Sequence, residues 1–465
     1  MAVKEGVTQQ ELESTLAGLA EQHQVPGAAV GVFHDGEEHY AFHGITSIEN
    51  PLPVDENTLF QFGSTGKTYT ATAMMRLVEQ GKVDLDAPVR TYLPDFKLKD
   101  EETAKNVTVL QLFNHTAGWQ GDFSQNTGDG DDALAKYVAA MAEIEQTSPL
   151  GSTVSYNNAS LSVAGHIIAT ITGTTYEAAM KELIFEPLGL TNTWFFTNDI
   201  MTRRFVCGHD QKPDDTIKVS RPWALPRSGT PAGGMSANAE DQIKWAKFHL
   251  GDGTVDGTQV LTKGSLDRMK EPTVEMRGSA IGDYVGISWL IDDKDEVRLV
   301  GHGGTTNGQL SEFTMVPDRN FAVIVLTNCA PNGAAVYREI VRWSLKAYLG
   351  IELKDPEAVK LSDEELAAYT GHYETIAVTC DLTAEDGGLS TNVEIKPEML
   401  KQLRDEGEDP GDQPPIPLGL LPGDGDRYIV TGGPAQGMTG YFVRGEGGDV
   451  EAVHIGGRLA TRVPT

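Results

Sequence analysis

The sequence predicts an α/β chain: an antiparallel sheet flanked by helices, broken by a helical subdomain, then a small all-β C-terminal domain. Three observations predict it. Strand-like apolar runs stand early, at residues 27–33, and again late, at 310–316 and 321–327. Helical spacing dominates the stretch between them. Past residue 365 the pattern shifts to short alternating pieces separated by Gly, Asp and Pro. At 465 residues the chain is too long for one ordinary compact domain.

Leu12, Leu16 and Leu19 recur at helical spacing, so residues 8–23 read as a helix. Residues 27–33 form a strand, His34-Asp35-Gly36 turns it, and Tyr40 to Phe42 alternates on the way back. A long helix follows from Ser64 to Glu79 and stops at Gln80-Gly81. Residues 82–230 read as a helical insertion, with helices at 132–143, 159–171 and 175–184 and a wide polar loop at 118–130. Ser236 is the expected cap of a helix running to Leu250. Strands are expected at 284–290, 297–300, 310–316 and 321–327, with a turn at Pro317 to Asn320 and a helix at 334–348. Residues 351–365 read as a linker between a domain at 1–350 and a β-domain at 366–465. In the latter, strands fall at 369–373, 376–382, 389–395, 428–431, 438–444 and 450–455. The Pro-rich stretch 403–427 reads as an exposed loop, and Val453 to Arg458 as barrel packing.

Asp and Glu number 67 against 37 Lys and Arg, a formal charge of -30. Such a surface repels nucleic acid and anionic membrane, so neither is an expected partner. Three scattered cysteines, Cys207, Cys329 and Cys380, exclude a disulfide scaffold and read as buried free thiols. No signal-peptide pattern or membrane-length apolar run is visible. A cytoplasmic chain is expected, or a secreted or periplasmic one whose leader has been removed. The expected ligand is a small molecule or short peptide, and a homo-oligomer is possible.

The sharpest local pattern is Ser64-Thr-Gly-Lys67, after a strand-like run and at the head of a helix. A serine there has an N–H without an intrahelical partner, next to the positive helix end, which suits an oxyanion. Lys67 lies one turn on, on the same face, placed to take the serine proton. Tyr156-Asn-Asn158 precedes a second helix. A tyrosine near a lysine can shuttle a proton, and Asn158 offers a donor and an acceptor. Gly301-His302-Gly303-Gly304-Thr305 lies between two strands, where glycines let a substrate backbone approach. Thr305 N–H is a second candidate oxyanion donor, and His302 a hydrogen-bonding wall residue. No HExxH or tight ligand pair marks a metal site.

In this order and combination the motifs resemble those of the serine hydrolases with the class C β-lactamase fold. That family includes class C β-lactamases, D-alanyl-D-alanine carboxypeptidases, D-aminopeptidases and related esterases. Ser64-Thr-Gly-Lys67 looks like its SxxK, Tyr156-Asn-Asn158 its YxN, and His302-Gly303-Gly304 its third motif. Leu112 to Gly118, Glu186 to Leu190 and Ala232 to Ser236 are also family-like, so the resemblance spans roughly residues 8–349. It implies a β-lactamase/transpeptidase-like fold and an acyl-enzyme on Ser64, with Lys67 and Tyr156 managing its proton. Asn158 would orient Lys67, Ser64 and Thr305 N–H groups would form the oxyanion hole, and no cofactor or metal is needed. The departure is His302, where penicillin-hydrolysing members usually keep a lysine. That favours a peptidase or D-aminopeptidase over a carboxylesterase, a β-lactamase or a non-catalytic binding protein. The C-terminal β-domain, barrel or lipocalin-like, is expected to trim specificity.

Overall fold

The computed structural model describes residues 7–123, 125–212, 214–294, 297–405, 414–423, 426–433 and 435–463. The chain divides into two compact units. One holds Met1–Gly151, Asn157–Thr273 and Gly286–Leu353; the other holds Ser152–Tyr156, Val274–Val285 and Lys354–Thr465.

The first unit is built on an antiparallel sheet of β1 (Gly27–His34), β2 (Glu37–Gly44), β3 (Leu290–Lys294), β4 (Val297–Thr305), β5 (Leu310–Val316) and β6 (Phe321–Thr327), in the order β3-β4-β5-β6-β1-β2. The earliest and latest strands pair directly: Val30 stands opposite Val325 on one side and Ala41 on the other. The stretch between β2 and β3 in sequence therefore leaves this sheet and returns to it.

Both faces are covered, which is why β1 and β6 are apolar along almost their whole length. Against one face lie α1 (Gln9–Gln22) and α5 (Gly333–Leu349), with Leu12, Leu16, Val336 and Ile340 packed on Val30, Val323 and Val325. Helix α1 starts where Thr8 and Glu11 cap each other's backbone N–H groups. Helix α4 (Ala239–Leu250) takes the other face. A Cβ on Gly31 would sit 2.7 Å from Ile243 Cγ1, so the missing side chain of β1 sets how closely α4 approaches. Trp245 of α4 stacks on Tyr69 at 3.7 Å between ring centroids and donates from Nε1 to Thr68 Oγ1 at 3.2 Å. Those two residues belong to α2 (Gly66–Glu79), which is buried along most of its length. The sheet thus fixes α4, and α4 fixes the helix that opens beside Ser64.

Several boundaries differ from expectation for identifiable reasons. Ser236 is not a helix cap: it lies in the short strand Ser236–Ala237, paired with Gln61 and Trp194. Asn238 caps α4 instead, accepting from Asp241 N–H. The run 284–290 is split, because Ser288 takes a positive φ of 60° and Gly286 N–H turns back to Trp289 O. Cys329 and Cys380 are buried free thiols as expected, whereas Cys207 is only half-buried.

The second unit contains a closed eight-stranded antiparallel barrel, from Gly371–Glu374 round to Arg458–Val463. Tyr373, Leu382, Leu389, Leu418, Tyr428, Phe442 and Val453 fill it. Closure comes from His372 opposite Val463, which removes the free edges of the sheet. Two strands escaped the sequence reading. Ile416–Leu420 was hidden by its prolines, yet Pro417 pairs with Ser390 and gives its carbonyl to Thr431 N–H. Arg458–Val463 follows Val450–Ile455 after a two-glycine turn. The expected loop also contains the end of a helix, Pro397–Asp405; residues 406–413 and 424–425 of it lie outside the described residues.

Gly31→Val should cost about 1–3 kcal/mol by overpacking against Ile243. Urea denaturation checks this; an unchanged midpoint would mean that α4 does not rest on β1 as described.

Candidate active site

The strand Phe60–Gln61 pairs with Ser236–Ala237 and then turns sharply. Gly63 has φ +51°, and the tight turn Gly63–Thr65 runs straight into α2. A Cβ on Gly63 would lie 2.6 Å from Thr305 N and one on Gly304 would lie 2.0 Å from Phe62 O. The backbone of the turn therefore lies directly against the end of β4, and only glycines permit it. Hydrogen bonds lock the same contact: Thr65 Oγ1 donates to His302 O at 2.8 Å, and Ser311 Oγ to Phe62 O at 2.8 Å.

Ser64 is half-buried and Lys67 wholly buried. Lys67 Nζ donates to Ser64 Oγ at 2.9 Å and to Ala232 O at 2.7 Å. The Ala232 segment is pressed onto the turn in its own right, since a Cβ on Gly233 would lie 2.8 Å from Gly63 C. Ser64 with Lys67, Ala232, and the strand end His302–Thr305 are thus assembled in one place from three distant stretches of sequence.

His302 is buried beside Lys67. Burial, reinforced by the Lys67 charge, pushes its pKa down to about 3. Its Nδ1 sits 2.5 Å from Gly303 O; a carbonyl only accepts, so Nδ1 carries the hydrogen and Nε2 is the acceptor nitrogen. The third motif therefore presents a neutral ring with an acceptor, where a lysine would present a cation.

Asn158 opens helix α3 (Asn158–Thr172). Its neighbour Asn157 is the cap, accepting from Ser160 N–H while its own N–H donates to His115 Nδ1 at 3.1 Å. Asn158 Nδ2 donates to Asp122 Oδ1 at 2.8 Å, and the N–H groups of Asn158 and Ala159 both reach Gly121 O. The polar loop thus closes on the start of α3 and orients the Asn158 amide, leaving Oδ1 as its acceptor. Tyr156 belongs to the second unit, where its N–H donates to Gly457 O at 2.8 Å and the Arg458 guanidinium lies 5.0 Å from its ring centre.

Sequence reasoning placed Ala232 and His115 in family-like segments and Thr65 inside the first motif, but gave no role to these or to Asp122. Ala232 had a signal in the Gly233-Gly234 pair that follows it. His115, at φ 62°, had one in the break it makes before Gly118. Thr65 and Asp122 act through contacts that no local pattern announces. Among the described residues no cluster of His, Cys, Asp or Glu could hold a metal ion, and no helix is long and apolar enough to cross a membrane.

The Beta-lactamase family model matches residues 12–346. The chain is 35% identical over 314 residues to "Penicillin-binding protein 4" of Amycolatopsis lactamdurans, covering 67% of this chain and 82% of that protein. Among solved structures it resembles SurE at a TM-score of 0.76 and 23% identity, covering 98% of this chain and 99% of SurE. A second structure of SurE holds D-Leu. It also resembles the D-amino acid amidase of Ochrobactrum anthropi SV3, solved with L-phenylalanine amide, at a TM-score of 0.59 and 24% identity over 72% of this chain and 99% of the other. The chain belongs to the Beta-lactamase family and is a serine hydrolase of the β-lactamase/transpeptidase type.

The His302 ring should stay neutral from pH 8 to pH 5, read by imidazole NMR signals assigned with a His302→Gln variant. A midpoint near about 6.5, the ordinary value, would contradict the burial argument. Linkage gives the sign for stability. The unfolded chain takes the proton first as pH falls below about 6.5, so this ring's contribution is present above that pH and is lost on the way down toward the folded pKa.

Proposed function

We propose that the protein hydrolyses amide bonds of small amino-acid amides or short peptides, D-configured at the acyl residue, through an acyl-enzyme on Ser64. The observation that carries the reading is the Lys67 Nζ to Ser64 Oγ contact of 2.9 Å inside the glycine-lined turn. Ser64 attacks the carbonyl as its proton passes to the Lys67–Tyr156 pair. The N–H groups of Ser64 and Thr305 receive the oxyanion, which develops at the positive end of α2. Tyr156 then protonates the leaving amine, and water releases the acyl group. Asn158, held by Asp122, directs its amide oxygen at Lys67 and at the substrate N–H. Gly303 and Gly304 let the substrate backbone lie along β4.

The neutral His302 ring supports a peptidase over a β-lactamase. A β-lactam carries a carboxylate that a lysine in the third motif would hold, and a neutral imidazole offers that carboxylate no charge. The D configuration draws support from the D-amino acid amidase and from the SurE structure with D-Leu.

Turnover of D- and L-aminoacyl p-nitroanilides, a p-nitrophenyl ester and nitrocefin tests this. D-aminoacyl anilides should be cleaved fastest, and Ser64→Ala should lower kcat by about 10³-fold or more. Tyr156→Phe should lower it by about 10²–10⁴-fold. Ester turnover alone would move the assignment to carboxylesterase, and nitrocefin as the best substrate would defeat the His302 argument. A fully active Ser64→Ala enzyme would sink the whole reading.

A further inference from the structure

A carboxyl with no part in the chemistry lies behind the end of β4. Glu312 of β5 stands directly opposite Gly303. Paired residues of an antiparallel sheet put their side chains on the same face. That face is covered by α5 and is opposite to the one that carries His302, since His302 pairs with Phe313. Gly303 has no side chain, and Glu312 uses the space: a Cβ on Gly303 would lie 2.9 Å from Glu312 Oε2. Neighbouring strands are about 4.8 Å apart, so the carboxyl has crossed the gap and stands over β4.

Its partners are few. Oε1 accepts from Thr314 Oγ1 at 3.2 Å. Among the described residues Oε2 accepts no hydrogen bond, and no Lys, Arg or His pairs with either oxygen. From β4 and β6 the residues opposite it are Gly303 and Val325, which carry no charge. From α5 it faces the Tyr337 phenol, which burial and the Glu312 charge push up to about 12, with Arg338 pulling the other way. Burial with no cation beside it pushes the Glu312 carboxyl itself up to about 7. The group is nevertheless reachable. Glu312, Gly301 and Gly303 are each half-buried and Thr305 is exposed, whereas Ser311 and Phe313 on the other face are buried. The opening runs along β4.

Position ties this opening to the reaction. Strand β3 pairs with β4 as far as Leu290 opposite Gly301. From His302 to Thr305 one edge of β4 therefore meets no other strand among the described residues. Alternate residues of an antiparallel strand turn their N–H and C=O groups to the same edge. In the proposed reaction Thr305 N–H serves the oxyanion from the open edge, so Gly303 lies on that edge too, about 7 Å along it. The leaving amine takes its proton on the Lys67 side, and His302, the neighbour of Gly303, stands beside Lys67. The leaving group thus runs past Gly303, and the charge it meets there is Glu312.

We propose that Glu312 is a specificity-determining residue for the leaving group: it accepts a hydrogen bond from an N–H or ammonium group carried past Gly303 and repels a carboxylate placed there. The preferred substrates are amides whose leaving amine is uncharged or cationic, rather than peptides that end in a free carboxylate one residue beyond the scissile bond. This rests on the reading of Ser64 as the nucleophile. It adds a selectivity that the neutral His302 ring does not supply, since that ring carries no charge to repel a carboxylate or hold an ammonium.

The test uses the full chain at about pH 8, where the Glu312 carboxyl is ionised. The substrates are D-phenylalanyl amides that differ only in the leaving amine: glycine, glycinamide and ethylenediamine. Release of D-phenylalanine is followed by mass spectrometry. The wild type should favour glycinamide over glycine by about tenfold or more in kcat/KM and should cleave the aminoethylamide at least as well as the glycinamide. Glu312→Gln should bring the glycinamide-to-glycine ratio within about threefold of one and lower the aminoethylamide-to-glycinamide ratio. A ratio cancels a general loss of active enzyme, which is what a purely structural Glu312 would give. Should Glu312→Gln fail to fold, the wild type at about pH 6 supplies the same comparison, because the protonated carboxyl no longer repels and the glycinamide-to-glycine ratio should fall. If the enzyme cleaves esters alone, the ratios are read on the matching glycolate, glycolamide and aminoethyl esters. Equal wild-type turnover of the glycine and glycinamide substrates, or a ratio unmoved by Glu312→Gln or by protonation, would overturn the role of Glu312 alone. Absence of Ser64-dependent turnover on every amide and ester would instead overturn the nucleophile, and this role with it.

Discussion

A buried lysine amine held between Ser64 Oγ and Ala232 O is the interaction on which the rest of the first unit depends. A buried Nζ without water must be given acceptors at fixed distances, or burying it costs free energy. The acceptors come from two segments about 165 residues apart in sequence, and the fold brings them together by backbone contact rather than side-chain packing. Gly63, Gly233 and Gly304 each lie where a Cβ would strike the neighbouring main chain. Helix α2 then inherits a fixed position from Trp245 and the sheet.

This design explains why α2 is rich in threonine although it is buried. Thr68 Oγ1 donates to Thr65 O, Thr72 Oγ1 to Thr68 O, and Thr70 Oγ1 to Pro231 O. The first two close on the helix itself, as hydroxyls of a buried helix must when water is absent. The third reaches the residue before Ala232. One helix thus fixes both ends of the lysine's hydrogen-bonding arrangement, at Thr65 beside Ser64 and at Pro231 beside Ala232.

Much of the fold was legible because its signals are local. The spacing of Leu12, Leu16 and Leu19 gave α1, and the uninterrupted apolar run at 321–327 gave a strand buried on both faces. The motif residues Ser64, Lys67 and His302 were legible because each stands at a strand–helix or strand end that the glycines mark. What stayed hidden depends on tertiary partners. The cap of α4 moved from Ser236 to Asn238 because Ser236 was needed as a strand partner for Gln61. Pro417 entered a strand because its pairing with Ser390 and its carbonyl's bond to Thr431 N–H are tertiary contacts that its ring gives no hint of. Asp122 could not be read from a polar loop, since its role exists only once Gly121 O meets the N–H groups of α3. Electrostatics was half legible. The histidine in place of a lysine was visible, but the depth of burial that keeps it neutral was not.

The central claim is that Ser64 is acylated with help from Lys67. Rapid acid quench of the reaction with a D-phenylalanyl p-nitrophenyl ester, followed by peptide mapping and mass spectrometry, tests it most directly. The account predicts an aminoacyl mass increment on Ser64 in the wild type and its loss in a folded Lys67→Met variant. An increment on another residue, or one that forms undiminished without Lys67, would contradict it.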